Sequence, residues 1–115
     1  MIAPIVTSIS RPAPNRAVIE LALPHDHVAF AGHFPGHPIL PGLVQIDWAV
    51  QLASVWLDSG FLAASDFQVK FREVVRPGSI LSLDLCLDRA AKVLEFRYLL
   101  GEVLASSGRI QGKCS

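Results

Sequence analysis

Hydrophobic and polar residues alternate along several stretches of the chain, while one stretch is apolar on nearly every side. Alternation with a period of two predicts strands over residues 16–23, 66–74, 79–88 and 93–100, and a weaker strand over 102–112. Residues 42–59 are too continuously apolar for that pattern and predict a buried helix. No element is predicted for the proline-containing residues 1–15. One helix followed by consecutive antiparallel strands indicates an α+β domain whose sheet folds over the helix.

Composition and charge narrow the class of protein. The chain has 115 residues, which is the size of one domain, and 51% of them are hydrophobic. Ten basic and ten acidic residues cancel, which argues against binding to nucleic acid, and no apolar run approaches the roughly 18 residues of a membrane span. Without a secretory signal, and with Cys86 and Cys114 as free thiols, we expect a cytoplasmic protein. So much apolar surface on a short chain indicates that a partner subunit covers part of it.

The predicted helix carries one narrow polar stripe. Asp47, Gln51, Ser54 and Asp58 are spaced at i, i+4, i+7 and i+11, so at about 100° per residue they fall within a stripe about 60° wide. Ser54 and Asp58 are expected at the wetted edge of the helix. A carboxylate in the second turn of so apolar a helix is costly to bury without a partner, so Asp47 is a candidate functional residue.

The segment before the helix is the most informative part of the chain. Six of the eleven residues 32–42 are glycine or proline, which predicts a stiff loop rather than a helix or strand. The helix then starts at Pro41-Gly42 without a side chain of the capping type, so its first N–H groups lack a side-chain acceptor. Such a helix start is suited to bind an oxyanion or a polarised carbonyl oxygen.

Four histidines lie in or near this loop, at positions 25, 27, 33 and 37. Their spacing matches no helical zinc-binding pair and neither cysteine is near, so we expect no metal site. His25 and His27 are expected to form structural hydrogen bonds. His33 differs because a rigid Phe-Pro-Gly sequence follows it and a carboxylate comes fourteen residues later, which supplies a general base and a general acid.

Residues 32–53, GHFPGHPILPGLVQIDWAVQLA, resemble the signature of the hot-dog-fold 3-hydroxyacyl-acyl carrier protein dehydratases of bacterial fatty-acid synthesis. Residues 69–85, VKFREVVRPGSILSLDL, are similar to the strand that follows the helix in that family. The resemblance implies a hot-dog fold, one long helix wrapped by a curved antiparallel sheet, as a single domain over residues 1–115. The short chain is more similar to compact members of secondary pathways, such as aryl polyene synthesis, than to the housekeeping enzymes.

The resemblance also implies the reaction and the residues that perform it. The reaction is dehydration of a 3-hydroxyacyl thioester to the trans-2-enoyl thioester, with the substrate on the phosphopantetheine arm of acyl carrier protein and no further cofactor. His33 corresponds to the catalytic histidine and Asp47 to its acidic partner. The Gly42 N–H would bind the thioester carbonyl, and Gln51 would orient the carboxylate. The substrate loop would consist of Phe34, Pro35 and Gly36.

Family members are dimers in which the histidine and the acid of one site come from different subunits. The resemblance therefore implies a homodimer or larger assembly, or a heterodimer with a related subunit. Two alternatives stay open: a non-catalytic hot-dog subunit that pairs with a true dehydratase, and a hot-dog thioesterase whose carboxylate activates water. Retention of both His33 and Asp47 favours the dehydratase, and the His-Phe-Pro loop argues against the thioesterase.

Overall fold

The computed structural model describes residues 2–31 and 36–114. Six strands, one α-helix and a short 3-10 helix form the domain. In chain order they are β1 (Ile5–Ala13), β2 (Arg16–Ala22), the 3-10 helix (Val28–Phe30), α1 (Gly42–Trp56), β3 (Phe61–Phe71), β4 (Ile80–Asp88), β5 (Val93–Leu100) and β6 (Val103–Cys114).

All six strands belong to a single antiparallel sheet with the order β1-β2-β4-β5-β6-β3. The sheet curls round α1, which packs against β3, β4 and β5. The α+β hot-dog architecture predicted from the sequence is therefore confirmed. The two strands that flank the helix in sequence order do not lie together, because β3 is placed at the far edge of the sheet beside β6.

The core lies between α1 and the concave face of the sheet. The alternation of β4 buries every second side chain almost completely, and the same alternation in β2 and β5 supplies the neighbouring rows. Burying one such leucine or isoleucine stabilises the fold by about 1.5–3 kcal/mol. The β4 and β2 members of this layer are Leu81, Leu83, Leu85, Leu87, Ile19 and Leu21.

Strand β1 was not expected from the sequence. It lies at the edge of the sheet and most of its residues are exposed on both faces, so no alternation of hydrophobic and polar residues marks it. Pro12 falls in an irregular part of the ladder, between the pairs formed by Ser10 and Ala13. An edge strand tolerates proline there because the missing N–H removes no regular ladder bond.

The boundaries of β3 also differ from the prediction of residues 66–74. The strand starts at Phe61, five residues earlier than predicted. A register shift between the pairs of Ala63 and Phe67 breaks the alternation in this first half, so the sequence pattern does not show it. It ends at Phe71, after which the N–H groups of Arg72 and Glu73 both donate to the carbonyl of Ala105. The chain is thereby directed out of the sheet.

Helix α1 ends at Trp56, three residues before the predicted end, and the N–H groups of Leu57 and Asp58 converge on the carbonyl of Ala53. The prediction of a fully buried helix is wrong for the single chain: Leu43 is 77% exposed and Val55 is 67% exposed. Only the face toward the sheet is covered. Within residues 2–31 and 36–114, no helix has the length and apolarity to cross a bilayer.

Candidate active site

The start of α1 has the uncapped geometry that the sequence predicts. Pro41 is the N-cap residue, with extended backbone angles (φ −61°, ψ 145°) and no side-chain hydrogen bond. Its carbonyl accepts the N–H groups of Val44 and Gln45, each at 3.1 Å. In the described part of the chain, the N–H groups of Gly42 and Leu43 have no acceptor. These two donors are available to an external oxygen.

Asp47 and Gln51 form a hydrogen-bonded pair on the half-buried stripe of α1. The Gln51 Nε2 donates to Asp47 Oδ2 at 2.6 Å and also to the carbonyl of Ile2 at 3.2 Å. The indole N–H of Trp48 donates to that same Ile2 carbonyl at 3.1 Å. The N-terminal segment therefore fixes the Gln51 amide from one side, and the amide holds one carboxylate oxygen of Asp47. The catalytic roles of both residues stay predictions.

The other two polar residues of the stripe belong to the end of the helix. Ser54 Oγ donates to the carbonyl of Ser59 at 3.5 Å, and Asp58 Oδ1 accepts the N–H of Gly60 at 2.9 Å. The first bond joins the helix to the turn before β3, and the second lies within that turn. This geometry agrees with the structural role expected for them at the edge of the helix.

The loop residues predicted to act on the substrate are described only in part. His33, Phe34 and Pro35 lie outside the described residues, and so does the predicted contact of His33 with the site. Gly36 is described, is exposed and has a φ of 86°, a backbone conformation that side chains other than glycine rarely adopt. His37 next to it is exposed.

Of the two histidines that precede the loop, His27 forms the structural hydrogen bonds expected of it, whereas His25 forms none among the described residues. The ring of His27 is buried: its Nδ1 accepts the N–H of Ala29 at 3.0 Å, and its Nε2 is 3.1 Å from the carbonyl of Ala3. Because Nδ1 accepts, Nε2 carries the proton and donates to Ala3. The His25 ring lies close to Gly78. Among the described side chains, no three of the metal-ligating types come together.

Gln45 was not expected to contribute to the site, yet its side chain is buried and both ends of its amide are hydrogen-bonded. It is 3% exposed, and its Nε2 donates to the carbonyl of Leu40 at 3.2 Å. Its Oε1 accepts the Ser106 hydroxyl at 2.7 Å, and its main-chain carbonyl accepts the Tyr98 hydroxyl at 2.7 Å. The one sign of this role in the sequence is a glutamine on a helix face that is otherwise apolar. Its partners are too far along the sequence to be inferred.

The pKa of Tyr98 depends on its burial and on the nearby Asp47. Burial raises the pKa of its hydroxyl well above the ordinary value, and Asp47 raises that pKa further when its carboxyl group is ionised. The hydroxyl therefore remains protonated and continues to donate to the Gln45 carbonyl.

A groove of about 1190 Å³ opens beside the start of α1. Gly42, Leu43 and Ile46 of the helix line it, and Phe67 and Phe71 of β3 form an apolar wall. Charged side chains line much of the rest of the groove: Arg16, Lys70, Asp84, Glu95, Arg97 and Arg109. Both phenylalanines are about half exposed in the single chain. Asp47 does not line this groove, so one chain presents the helix-start donors and the acid on different surfaces.

A sheet curled round one helix, with an uncapped helix start and an acid–glutamine pair, defines a protein of the hot-dog dehydratase type. A family profile described as ApeI-like, for the ApeI dehydratase, matches residues 9–109. The chain belongs to this ApeI-like family. The family predicted from the sequence signature, a hot-dog dehydratase of the compact kind, is confirmed.

Individual relatives agree with this assignment. A solved structure of the dehydratase heterocomplex ApeI:P from Xenorhabdus doucetiae contains a chain that is 38% identical, with a TM-score of 0.92 over 99% of this chain and 100% of that chain. An uncharacterised protein from Erwinia carotovora subsp. atroseptica is 30% identical, with a TM-score of 0.85 over 98% of both chains. The 3-hydroxyacyl-[acyl-carrier-protein] dehydratase FabZ of Lactobacillus helveticus is 38% identical over 52% of this chain. The match covers 45% of that relative, so the chain spans about half its length.

Proposed function

We propose that this protein dehydrates 3-hydroxyacyl thioesters carried on acyl carrier protein to trans-2-enoyl thioesters. The observation that carries the proposal is the Asp47 carboxylate held at 2.6 Å by Gln51, on a helix whose first N–H groups are unpaired. The names of the ApeI and FabZ relatives support the same reaction class. The substrate supplies the phosphopantetheine arm, and the proposed chemistry needs no further cofactor.

The first step is removal of the proton on the carbon next to the thioester carbonyl. That proton is weakly acidic, and a histidine is suited to take it near neutral pH, so we assign this step to His33. Negative charge then develops on the thioester oxygen. The Gly42 N–H, at the positive end of the α1 dipole, is the donor to that oxygen.

The second step is departure of the 3-hydroxyl group as water. The carbon–oxygen bond breaks as the double bond forms, and the leaving oxygen takes a proton from Asp47 in its protonated form. Gln51 bonds to Oδ2, and no described residue bonds to Oδ1, so we assign the proton transfer to Oδ1. The turnover ends with a protonated His33 and an ionised Asp47, and proton exchange through water restores both.

The complete site is proposed to form between two subunits. One chain presents the groove beside Gly42 and, on a different surface, the Asp47–Gln51 pair. The exposed apolar side chains Leu43 and Val55 provide a surface for the second subunit. The partner is a second copy of this chain or a related subunit, as in the ApeI:P heterocomplex. The acyl chain would lie along the apolar wall of the groove, and the cytoplasmic location expected from the sequence fits a carrier-protein substrate.

The test is an assay of 3-hydroxyacyl carrier-protein thioesters of several chain lengths, followed by the absorbance of the conjugated enoyl product. We expect turnover by the wild type and its loss in His33→Ala and Asp47→Asn. Two matched controls should retain turnover: His37→Ala alters an exposed histidine of the same loop, and Asp58→Asn alters an acid at the far end of the same polar stripe.

The other outcomes separate the alternatives. If the wild type is inactive alone but active with a related hot-dog subunit, the protein is one half of a heterocomplex, the second candidate that the ApeI:P relative favours. Release of free thiol without enoyl product would instead identify a thioesterase. Full activity in Asp47→Asn would refute the assignment of the acid.

A further inference from the structure

We infer that Gln45 is a positioning residue that fixes the direction of the Gly42 N–H at the start of α1. The inference rests on the proposed function, in which that N–H binds the thioester oxygen. It concerns a residue on the core side of the helix, opposite the stripe that carries Asp47.

Gln45 holds both peptide groups that lead into the helix. Its side-chain Nε2 donates to the carbonyl of Leu40, which belongs to the Leu40–Pro41 peptide. Its main-chain N–H donates to the carbonyl of Pro41, which belongs to the Pro41–Gly42 peptide. One residue therefore fixes two successive peptide planes.

The second of these planes contains the donor of interest. A trans peptide is planar, and its C=O and N–H point in opposite directions. Since the Pro41 carbonyl is turned into the helix toward Val44 and Gln45, the Gly42 N–H is turned away from it. The direction of the Gly42 N–H is thus set by the plane of the Pro41–Gly42 peptide and by the hydrogen bonds that hold this plane.

The bond between the Gln45 side chain and the Leu40 carbonyl restricts the peptide that positions the Pro41 ring. The proline ring fixes the φ of Pro41, which is −61°. The position of the ring itself depends on the preceding Leu40–Pro41 peptide, whose Leu40 carbonyl bonds to Gln45. One peptide earlier, the Leu40 N–H donates to the Val75 carbonyl at 2.7 Å. Val75 is fully buried, so this second anchor belongs to the core.

The Gln45 side chain is held in turn by the sheet. Ser106 of β6 donates to its Oε1, which leaves Nε2 aimed at Leu40, and Tyr98 of β5 donates to its main-chain carbonyl. All three residues are buried, and every one of these polar atoms has a partner. The network therefore links strands β5 and β6 to the helix start through a single residue, Gln45.

The test separates the bond to Leu40 from the bond to Ser106. Gln45→Met keeps the length of the side chain and removes both bonds, whereas Ser106→Ala removes only the bond to Oε1. The double variant Gln45→Met/Ser106→Ala leaves no buried hydroxyl without a partner, so we expect it to regain thermal stability lost in Gln45→Met. It does not regain the bond to Leu40.

We expect kcat to fall about tenfold or more in Gln45→Met and in the double variant, because loss of an oxyanion donor costs roughly 100- to 1000-fold and misdirection costs part of that. Ser106→Ala keeps the bond to Leu40, so its kcat should fall clearly less than that of Gln45→Met, and KM should change little in all three. A double variant that recovers both stability and kcat would overturn the inference, since Gln45 would then matter only for folding.

A second readout does not depend on turnover. The Leu40 amide should exchange with deuterium faster in the double variant than in the wild type, and the Gly42 amide resonance should shift, while both changes should be smaller in Ser106→Ala. If the wild type shows no dehydration but these signals change, the proposed function fails and the positioning role of Gln45 stands. Unchanged signals in the double variant refute the positioning role, whatever the activity.

Discussion

A methyl group at Gly42 should reduce activity strongly and stability little. A Cβ built at this glycine would lie 2.6 Å from Cζ of Phe71 and about 3 Å from two further atoms of the ring. The contact is too close, but Phe71 is 52% exposed and its ring can swing toward solvent. The displaced ring costs about 0.5–1.5 kcal/mol, and alanine in place of glycine in a helix returns up to about 1 kcal/mol. The middle of each range gives a net loss of about 0.5 kcal/mol in the free energy of unfolding.

Gly108→Ala provides the matched contrast. A Cβ there would lie 2.7 Å from the main-chain carbonyl oxygen of Gln68 and 2.6 Å from the ring of Phe96, which is 1% exposed. Neither the neighbouring strand nor the buried ring can move freely, so overpacking should cost about 1–3 kcal/mol. At about 4–8 °C per kcal/mol for a small domain, a loss of 2 kcal/mol lowers Tm by roughly 10 °C.

The two variants should separate stability from activity. We expect Gly42→Ala to melt within a few degrees of the wild type and to lose at least about tenfold in kcat/KM, because the methyl group obstructs the approach to the N–H that binds the thioester oxygen. Gly108→Ala should melt earlier and keep its kcat below its melting temperature. The measurements are thermal unfolding and the dehydration assay. Wild-type kcat/KM in Gly42→Ala would refute the assignment of this donor.

Three further expectations follow from the structure. Because burial raises the pKa of Tyr98, the free energy of unfolding should fall as pH rises above about 10, by up to about 1.4 kcal/mol per pH unit. Measured by urea unfolding, Tyr98→Phe should lose stability with pH less steeply than the wild type. Equal slopes of stability against pH in the two proteins would contradict this. Val55→Lys should lower the mass seen by analytical ultracentrifugation without changing the circular dichroism spectrum, since it charges the uncovered helix face; an unchanged mass would exclude that face from the subunit contact. Gln51→Leu removes the bond to Asp47 and should lower kcat about tenfold with little change in KM; an unchanged kcat would remove Gln51 from the mechanism.

The features predicted correctly from the sequence depend on neighbours along the chain. The alternation of β4 and β5, the uncapped helix start and the Asp47–Gln51 pair are all set by residues at most a few positions apart. One helical turn brings Asp47 and Gln51 together whatever the rest of the fold does. Such spacings are visible in the sequence itself.

The features that were missed depend on distant parts of the chain. Gln45 bonds to Tyr98 and Ser106, which are 53 and 61 residues away, so only the closed sheet brings the three together. Strand β1 is defined by pairing with β2 at an exposed edge and not by burial, and the bulge in β3 follows from its register with β6. Neither property leaves a periodic pattern in the sequence.

Two glutamines explain how an almost uniformly apolar helix is held at one rotation about its axis. Apolar burial is non-directional, so it distinguishes poorly between rotations of a helix that is apolar on most sides. Gln45 and Gln51 lie six residues apart, so at about 100° per residue they point about 120° away from each other. Each amide bonds to a main-chain carbonyl outside the helix, that of Leu40 or Ile2, and to a side-chain oxygen. Rotation of the helix would break the bonds to Leu40, Ser106 and Ile2 together, whereas the Gln51–Asp47 bond lies within the helix and turns with it. The two glutamines that fix the rotation of the helix therefore also fix the positions of the first N–H groups and of the Asp47 carboxyl group.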